Sequence, residues 1–194
     1  MGAGRGRNLI ARCDDGPMPD VLLAHTYRLG SDTLAEVRRL LEDTFADGFD
    51  DHDWDHALGG IHAVAVEEGA VVAHASVVQR RILLGGRALR TGYVEGVAVR
   101  PDRQRRGLGA AVMRALHPVV CGAYELGALA AGEQAGRLYM SLGWQRWQGA
   151  TWVLTPHGRR RTPDDDDSTY VLPVRTPLDL TGDVTCDWRD GDVW

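Results

Sequence analysis

Apolar and polar positions alternate along this chain with two different periods, and the period separates strands from helices. Residues 21–27 read as a strand. Leu34, Val37, Leu41 and Phe45 then share one face of a helix that a capping box of Thr33 and Glu36 would open. Residues 51–58 predict a short second helix, stopped by Gly59 and Gly60. Apolar runs follow at 61–66, 71–78 and 89–99, divided by the turn formers Glu68-Gly69 and Gly85-Gly86, which predicts an antiparallel meander. Leu108, Val112, Leu116 and Val119 recur at helical spacing, and Pro118 is expected to kink or end that helix. Residues 124–130 suit a buried strand, and 133–142 a helix closed by Gly143. The segments 144–147, 151–154 and 169–174 read as strands, with a polar loop at 159–167. The pattern is that of an α/β (α+β) fold: a mixed, mostly antiparallel sheet flanked by helices.

A chain of 194 residues that is 44% apolar can bury one sizeable core, so residues 21–194 are expected to form one domain. Residues 1–20 carry Gly, Arg, Pro and Asp without apolar period and read as a flexible lead-in. Acidic residues number 27 against 22 basic ones, a net charge of −5, which argues against a nucleic-acid binder and suits a cationic partner. Every basic residue is Arg. The absence of Lys excludes a P-loop lysine, a Schiff base to pyridoxal phosphate and a lysine nucleophile. Cys13, Cys121 and Cys186 are odd in number and far apart, so neither a disulfide scaffold nor a zinc knuckle is indicated. No secretion signal or membrane-length apolar run is present, and a soluble cytoplasmic protein is expected. His52 and His56 have the spacing of a helical metal pair, but no third ligand is evident and no metal is expected. His25, His62 and His74 lie in apolar strands and read as satisfied core or edge histidines.

The sharpest motif is Gln104-Arg105-Arg106-Gly107-Leu108-Gly109, between an apolar strand and a helix. Glycines admit close backbone approach, loop N–H groups can converge on phosphate oxygens, and the helix N-terminus favours an anion. With Val97-Ala98-Val99 before it and Arg137-Leu138-Tyr139-Met140-Ser141-Leu142-Gly143-Trp144 after it, the motif resembles the two signatures of the GNAT superfamily of N-acetyltransferases. Residues 53–60, 92–99, 161–166 and 186–194 further resemble the aminoglycoside 2′-N-acetyltransferases of mycobacteria and relatives. The resemblance runs from about Val21 to Trp194.

That resemblance implies acetyl-coenzyme A as co-substrate, its pantetheine arm beside Val97, Ala98 and Val99 and its pyrophosphate on Gln104, Arg105, Arg106, Gly107, Leu108 and Gly109. It implies an aminoglycoside acceptor held by Asp53, Glu95, Gly96, Asp165, Asp192 and the terminal carboxylate of Trp194, since polyammonium sugars are matched by carboxylates. Asp47 is a weaker candidate, because Asp47-Gly48 reverses the family order. Ala130 stands where relatives carry a contacting Ser. Glu95 would take the ammonium proton through a water or simply anchor the substrate, Tyr139 would protonate the thiolate or pack as a core tyrosine, and the Val97 N–H would serve as oxyanion donor. The cysteines lack an adjacent His and no G-x-S-x-G is present, so direct attack in a ternary complex is expected rather than a covalent intermediate. A homodimer is implied by resemblance alone. An endogenous amino sugar or another amino metabolite as substrate, or a non-catalytic module binding acetyl-coenzyme A or an aminoglycoside, stay open as alternatives.

Overall fold

The computed structural model describes residues 20–194, and the predicted meander forms the middle of its sheet. The expected lead-in, with Cys13, lies outside the described residues up to residue 19. In chain order the elements are β1 (Val21–His25), α1 (Ser31–Phe45), α2 (Asp51–Ala57), β2 (Ile61–Glu67), β3 (Ala70–Leu84), β4 (Arg87–Val99), α3 (Leu108–Ala123), β5 (Leu126–Ala130), α4 (Glu133–Ser141), β6 (Gln145–Arg146), β7 (Thr151–Thr155), β8 (Gly158–Arg161), β9 (Thr169–Pro173) and β10 (Val184–Asp187). The main path of the ten-stranded sheet runs β6-β9-β5-β4-β3-β10-β7-β8, and β1 and β2 branch from β3. Two pairings are parallel, β4 with β5 and β10 with β7. Both predicted hairpin turns are present. Glu68-Gly69 and Gly85-Gly86 have positive φ at both residues, as the favoured two-residue turns require.

The long strand β3 changes partner on one edge, pairing β2 over residues 70–77 and β10 over residues 82–84. Alternation on the strands gives each face its own cover. Ala63 and Ala65 of β2 pack into the cluster under α3, whereas Val64 joins Val37, Leu40 and Leu41 beneath α1. A third cluster, around Tyr93, Leu126, Trp147, Val153, Val184, Cys186 and Trp194, fills the half of the molecule built on β7, β9 and β10.

Several expectations are corrected. The Thr33–Glu36 capping box does not form: α1 begins at Ser31 after Gly30, without a side-chain cap, and the Glu36 carboxylate instead accepts from the Val71 N–H at 3.2 Å. Helix α3 continues through Pro118 to Ala123. Pro118 is exposed, so water can serve the carbonyl whose donor is missing, while buried Val112, Met113, Leu116 and Val120 hold the helix down on both sides. Part of the expected polar loop is strand β8 at the sheet edge, where charged side chains are tolerated. Arg159 and Arg161 lie 4.0 and 5.6 Å from the Trp152 ring centre and pair with Asp183 and Asp166. Strand β3 runs on to Leu84 rather than stopping at Val78, and β10 was absent from the predicted elements.

Candidate active site

The site begins with a disagreement between two neighbouring strands. β4 and β5 pair in parallel only from Thr91/Leu126 to Tyr93/Ala128, although β4 runs on to Val99 and β5 to Ala130. Beyond Tyr93 the strands part, and a cavity of about 280 Å³ opens there, lined by Val94 to Val97 on one side and Leu129 to Ala131 on the other. β4 is also irregular at this point. The register with β3 passes from Ser76/Glu95 to His74/Ala98, so Gly96 and Val97 together face Ala75 alone. Gly96 has φ +57°, a conformation that favours glycine, and a Cβ there would lie 3.3 Å from both Leu41 methyl carbons. The bulge thus interrupts the sheet ladder beside the cavity.

The cavity wall is acidic, with one partly buried cation in it. Asp53, Glu95 and Asp192 line it together with Phe45, Phe49, Tyr139, Arg189 and Trp194. Asp53 is presented by α2, where its carboxylate accepts from the Asp50 N–H at 3.0 Å in a capping box. Arg189 ties the wall together. Its guanidinium donates to the Glu95 carboxylate, to the Asp192 main-chain oxygen at 2.7 Å and to the Trp194 main-chain oxygen at 3.0 Å. Burial raises the Glu95 pKa above the usual carboxylate range, and Arg189 opposes that rise. Trp194 is buried, and its indole N–H donates to Thr162 Oγ1 at 3.0 Å. Asp165 stands outside the lining but close to Asp192; burial and then the Asp192 charge push it up to about 6. The Asp47 side chain lies outside the described residues.

Tyr139 enters the cavity from α4, with its ring against Trp144 and Tyr170 at centroid separations of 6.4 and 5.9 Å. Burial, with a smaller contribution from Tyr170, pushes it up to about 12, so the phenol keeps its proton across the neutral range. Among the described residues its hydroxyl has no hydrogen-bond partner.

The Gln104–Gly109 loop joins β4 to α3. Gly107 caps α3 at φ +82°, and Arg105 also has positive φ, +61°. Gln104 donates to the Val99 carbonyl at 3.3 Å, while Arg105 and Arg106 are exposed and, among the described residues, in no ion pair. The first-turn N–H groups of a helix have no intrahelical acceptor, so this end of α3 offers donors to an anion. The side chains of Leu108 and Ala98 are buried in the clusters under α3 and α1, which leaves only their backbone for a ligand. Val97 and Val99 are partly buried against the α3 side.

Arg189 was missing from the candidate residues. Its partner Glu95 is 94 positions away, and nothing local in an acidic segment signals such a contact. Contrary to the expectation that no cysteine has a neighbouring His, Cys121 Sγ lies 3.3 Å from His117 Nε2, one helical turn earlier on α3. Cys186 is buried and pushed up to about 12, mainly by desolvation. His56 bonds the Asp190 carbonyl oxygen at 2.8 Å, and His52 packs against Gly191. No group of three His, Cys, Asp or Glu able to hold a metal occurs among the described residues. Among them no helix is long and apolar enough to cross a membrane. A larger cavity, about 620 Å³, lies between the β3–β4 hairpin tip and residues 176–183, and neither Glu95 nor Tyr139 lines it.

A parted β4–β5 pair, a bulge on β4 and a glycine-capped helix after it describe one class of protein, and residues 26–146 match the acetyltransferase (GNAT) domain family, to which the chain belongs. Solved structures agree on the fold. A GNAT family N-acetyltransferase from Escherichia coli in complex with coenzyme A aligns over 90% of this chain and 93% of its own, with a TM-score of 0.62 at 15% identity. A GNAT family acetyltransferase from Brucella melitensis in complex with acetyl-coenzyme A aligns over 85% and 94%, with a TM-score of 0.56 at 18% identity. Within the family, the chain is 53% identical over 176 residues to the aminoglycoside 2′-N-acetyltransferase of Mycolicibacterium fortuitum, covering 89% of this chain and 90% of the relative.

Proposed function

We propose that the protein transfers the acetyl group of acetyl-coenzyme A to the 2′-amine of an aminoglycoside. The observation that carries the reading is that a partly buried carboxylate, Glu95, and a protonated phenol, Tyr139, line one cavity where β4 and β5 part. The identity to the M. fortuitum enzyme supplies the acceptor class. Acetyl-coenzyme A lies along the open edge of β4 at Val97 to Val99, with its pyrophosphate on the backbone of residues 104–109. The ammonium groups of the sugar meet Asp53, Asp192 and, farther out, Asp165, with the main-chain oxygen of Trp194 as a further acceptor; Gly96 serves as wall rather than as an acceptor, since its carbonyl is taken by His74, and Asp47 belongs to this reading as a weaker contact. Positive charge on the substrate also relieves the mutual repulsion of Asp165 and Asp192.

Attack requires a neutral amine, and Glu95 is the base that accepts its proton, directly or through a water. The nitrogen then bonds to the thioester carbonyl carbon while the Val97 N–H receives the developing oxyanion. As the C–S bond breaks, Tyr139 gives its proton to the departing sulfur and regains the one that the attacking nitrogen sheds, the proton on Glu95 passes to solvent, and the amide product and coenzyme A thiol leave. No covalent enzyme intermediate is needed. Cys121, although beside His117, sits on α3 and not in the cavity lining. A cytoplasmic homodimer completes the reading, and sedimentation of the purified chain tests the dimer.

The decisive experiment compares two aminoglycosides that differ only in a 2′-amine or a 2′-hydroxyl, with thiol release from acetyl-coenzyme A as readout. Release with the amine alone is expected. Release with both would keep the acetyltransferase and overturn the 2′ assignment; release with neither, while both ligands bind, would make the protein a binding module.

A further inference from the structure

His62 on β2 and His74 on β3 are both fully buried, on the α1 side of the sheet, and the reaction above uses neither. They are not isolated. Thr26 Oγ1 lies 2.8 Å from His62 Nε2, His62 Nδ1 lies 2.9 Å from His74 Nε2, and His74 Nδ1 lies 2.7 Å from the Gly96 carbonyl oxygen. The Gly59 N–H, just past α2, donates to Thr26 Oγ1 at 2.9 Å. The chain of bonds ends on the bulge of the active site.

The Thr26 hydroxyl also lies 3.3 Å from the Gly60 carbonyl oxygen, but only one proton arrangement satisfies both imidazoles of this chain. A main-chain carbonyl can only accept, so His74 Nδ1 carries the hydrogen. Burial keeps both rings neutral, which leaves His74 Nε2 bare to accept from His62 Nδ1–H, and His62 Nε2 bare to accept from the Thr26 hydroxyl. Every donor therefore points toward Gly96. The carbonyl it reaches belongs to the same planar amide as the Val97 N–H, and in a trans peptide the two bonds point opposite ways. Holding the oxygen aims the N–H, and withdrawing electron density through the oxygen makes that N–H a stronger donor. Leu41 and His74 pack against Gly96 on this side, so the amide has little freedom to rotate.

We propose that His74, backed by His62 and Thr26, is a positioning residue of this active site: it aims and polarises the Gly96–Val97 peptide so that the Val97 N–H is preset to receive the oxyanion. The proposal rests on the acetyl-transfer reading. It also links the α2 wall, which presents Asp53, to the bulge through Gly59 and Thr26.

The test pairs two substitutions. His74→Asn keeps a side-chain N–H at the position of Nδ1, able to donate to Gly96, but offers His62 no acceptor at the position of Nε2; His74→Leu removes both. Thermal stability is expected to fall by similar amounts in the two variants, because His62 loses its partner in each. Turnover is expected to separate them: His74→Leu lowers kcat roughly tenfold, the scale of one lost and polarising hydrogen bond, with coenzyme A binding little changed, and His74→Asn recovers most of that loss. Equal losses of kcat in the two variants, or no loss in either, would overturn the proposal. Should His74→Leu not fold, ¹⁵N spectra of histidine-labelled wild-type protein decide alone: both buried rings must be neutral Nδ1–H tautomers at pH 7, and an Nε2–H tautomer or an imidazolium at either site would sink it. If the wild-type protein releases no thiol with any aminoglycoside, the functional reading fails, and the spectra still test the relay itself.

Discussion

The largest influences on Glu95 oppose each other, burial raising its affinity for a proton and Arg189 lowering it, with smaller contributions from Arg80 and Asp192. The base is therefore kept usable by a cation that also occupies the site. Arg189→Gln removes the larger lowering influence and leaves that of Arg80, so the acid limb of kcat/KM is expected to move to higher pH; a limb that stays in place would remove Arg189 from control of the base. Asp165 titrates within reach of assay, at about 6. Below that pH it loses the charge offered to the substrate, so the aminoglycoside KM should rise as pH falls through 6. Asp165→Asn should raise KM near pH 7 and flatten this dependence, and KM measured across pH 5 to 8 checks it.

At the scale of elements, the bulge and the parted strands do most of the positioning, and they lie where residues 92–99 carry an unusual mixture of Gly and β-branched residues. The meander, both glycine turns and the amphipathic face of α3 were legible because apolar period and turn chemistry act over a few residues. Three features were not. β8 is written in arginines, which read as solvated loop until Trp152, Asp166 and Asp183 are brought beside them by the fold. β10 is four residues long and owes its place to β3 and β7. Helix α3 passes Pro118 because packing outweighs a local defect. Of the site, the loop, Glu95, Tyr139 and the acidic wall were readable from motif resemblance, whereas Arg189 and the histidine relay exist only through long-range contacts. The cap of α3 offers a test at this scale. Gly107→Ala forces a side chain into left-handed backbone, a cost of about 1–2 kcal/mol, and is expected to raise the acetyl-coenzyme A KM roughly tenfold while the aminoglycoside KM changes little; equal changes in both would place the defect outside the loop.

For the molecule as a whole, acid is the vulnerable direction. Burial holds His62 at about 4 and, with the help of neighbouring His62, His74 at about 3, against 6.5 in an unfolded chain. His25 adds a further lowering influence on His62, and the only other groups facing the pair in the relay, Thr26 and the Gly96 carbonyl, are neutral. The unfolded state binds the extra protons, so stability is full above pH 6.5 and declines as pH falls toward 4, with a limiting slope of about 1.4 kcal/mol per pH unit for each histidine. Asp166, held at about 2 chiefly by Arg161, adds a loss that begins below 3.8. Urea denaturation at pH 7, 6 and 5 should show falling midpoints, and His62→Gln should lessen the slope; midpoints that do not move would mean the rings are already charged.

Strand β10 is the last strand along the chain, yet it lies inside the sheet, between β3 and β7, rather than at an edge. Strands made far earlier must wait for it, so the order of synthesis and the order of assembly differ. Until β10 docks, β3 and β7 each expose an open ladder, and Arg80 lacks Asp187. Arg189, Asp192 and Trp194 follow β10 directly, and the substrate wall is therefore delivered by the same event that seals the sheet. Catalytic competence should appear late and in a single step, and the interval before it is when a nascent or refolding chain is most exposed to pairing with another copy of itself.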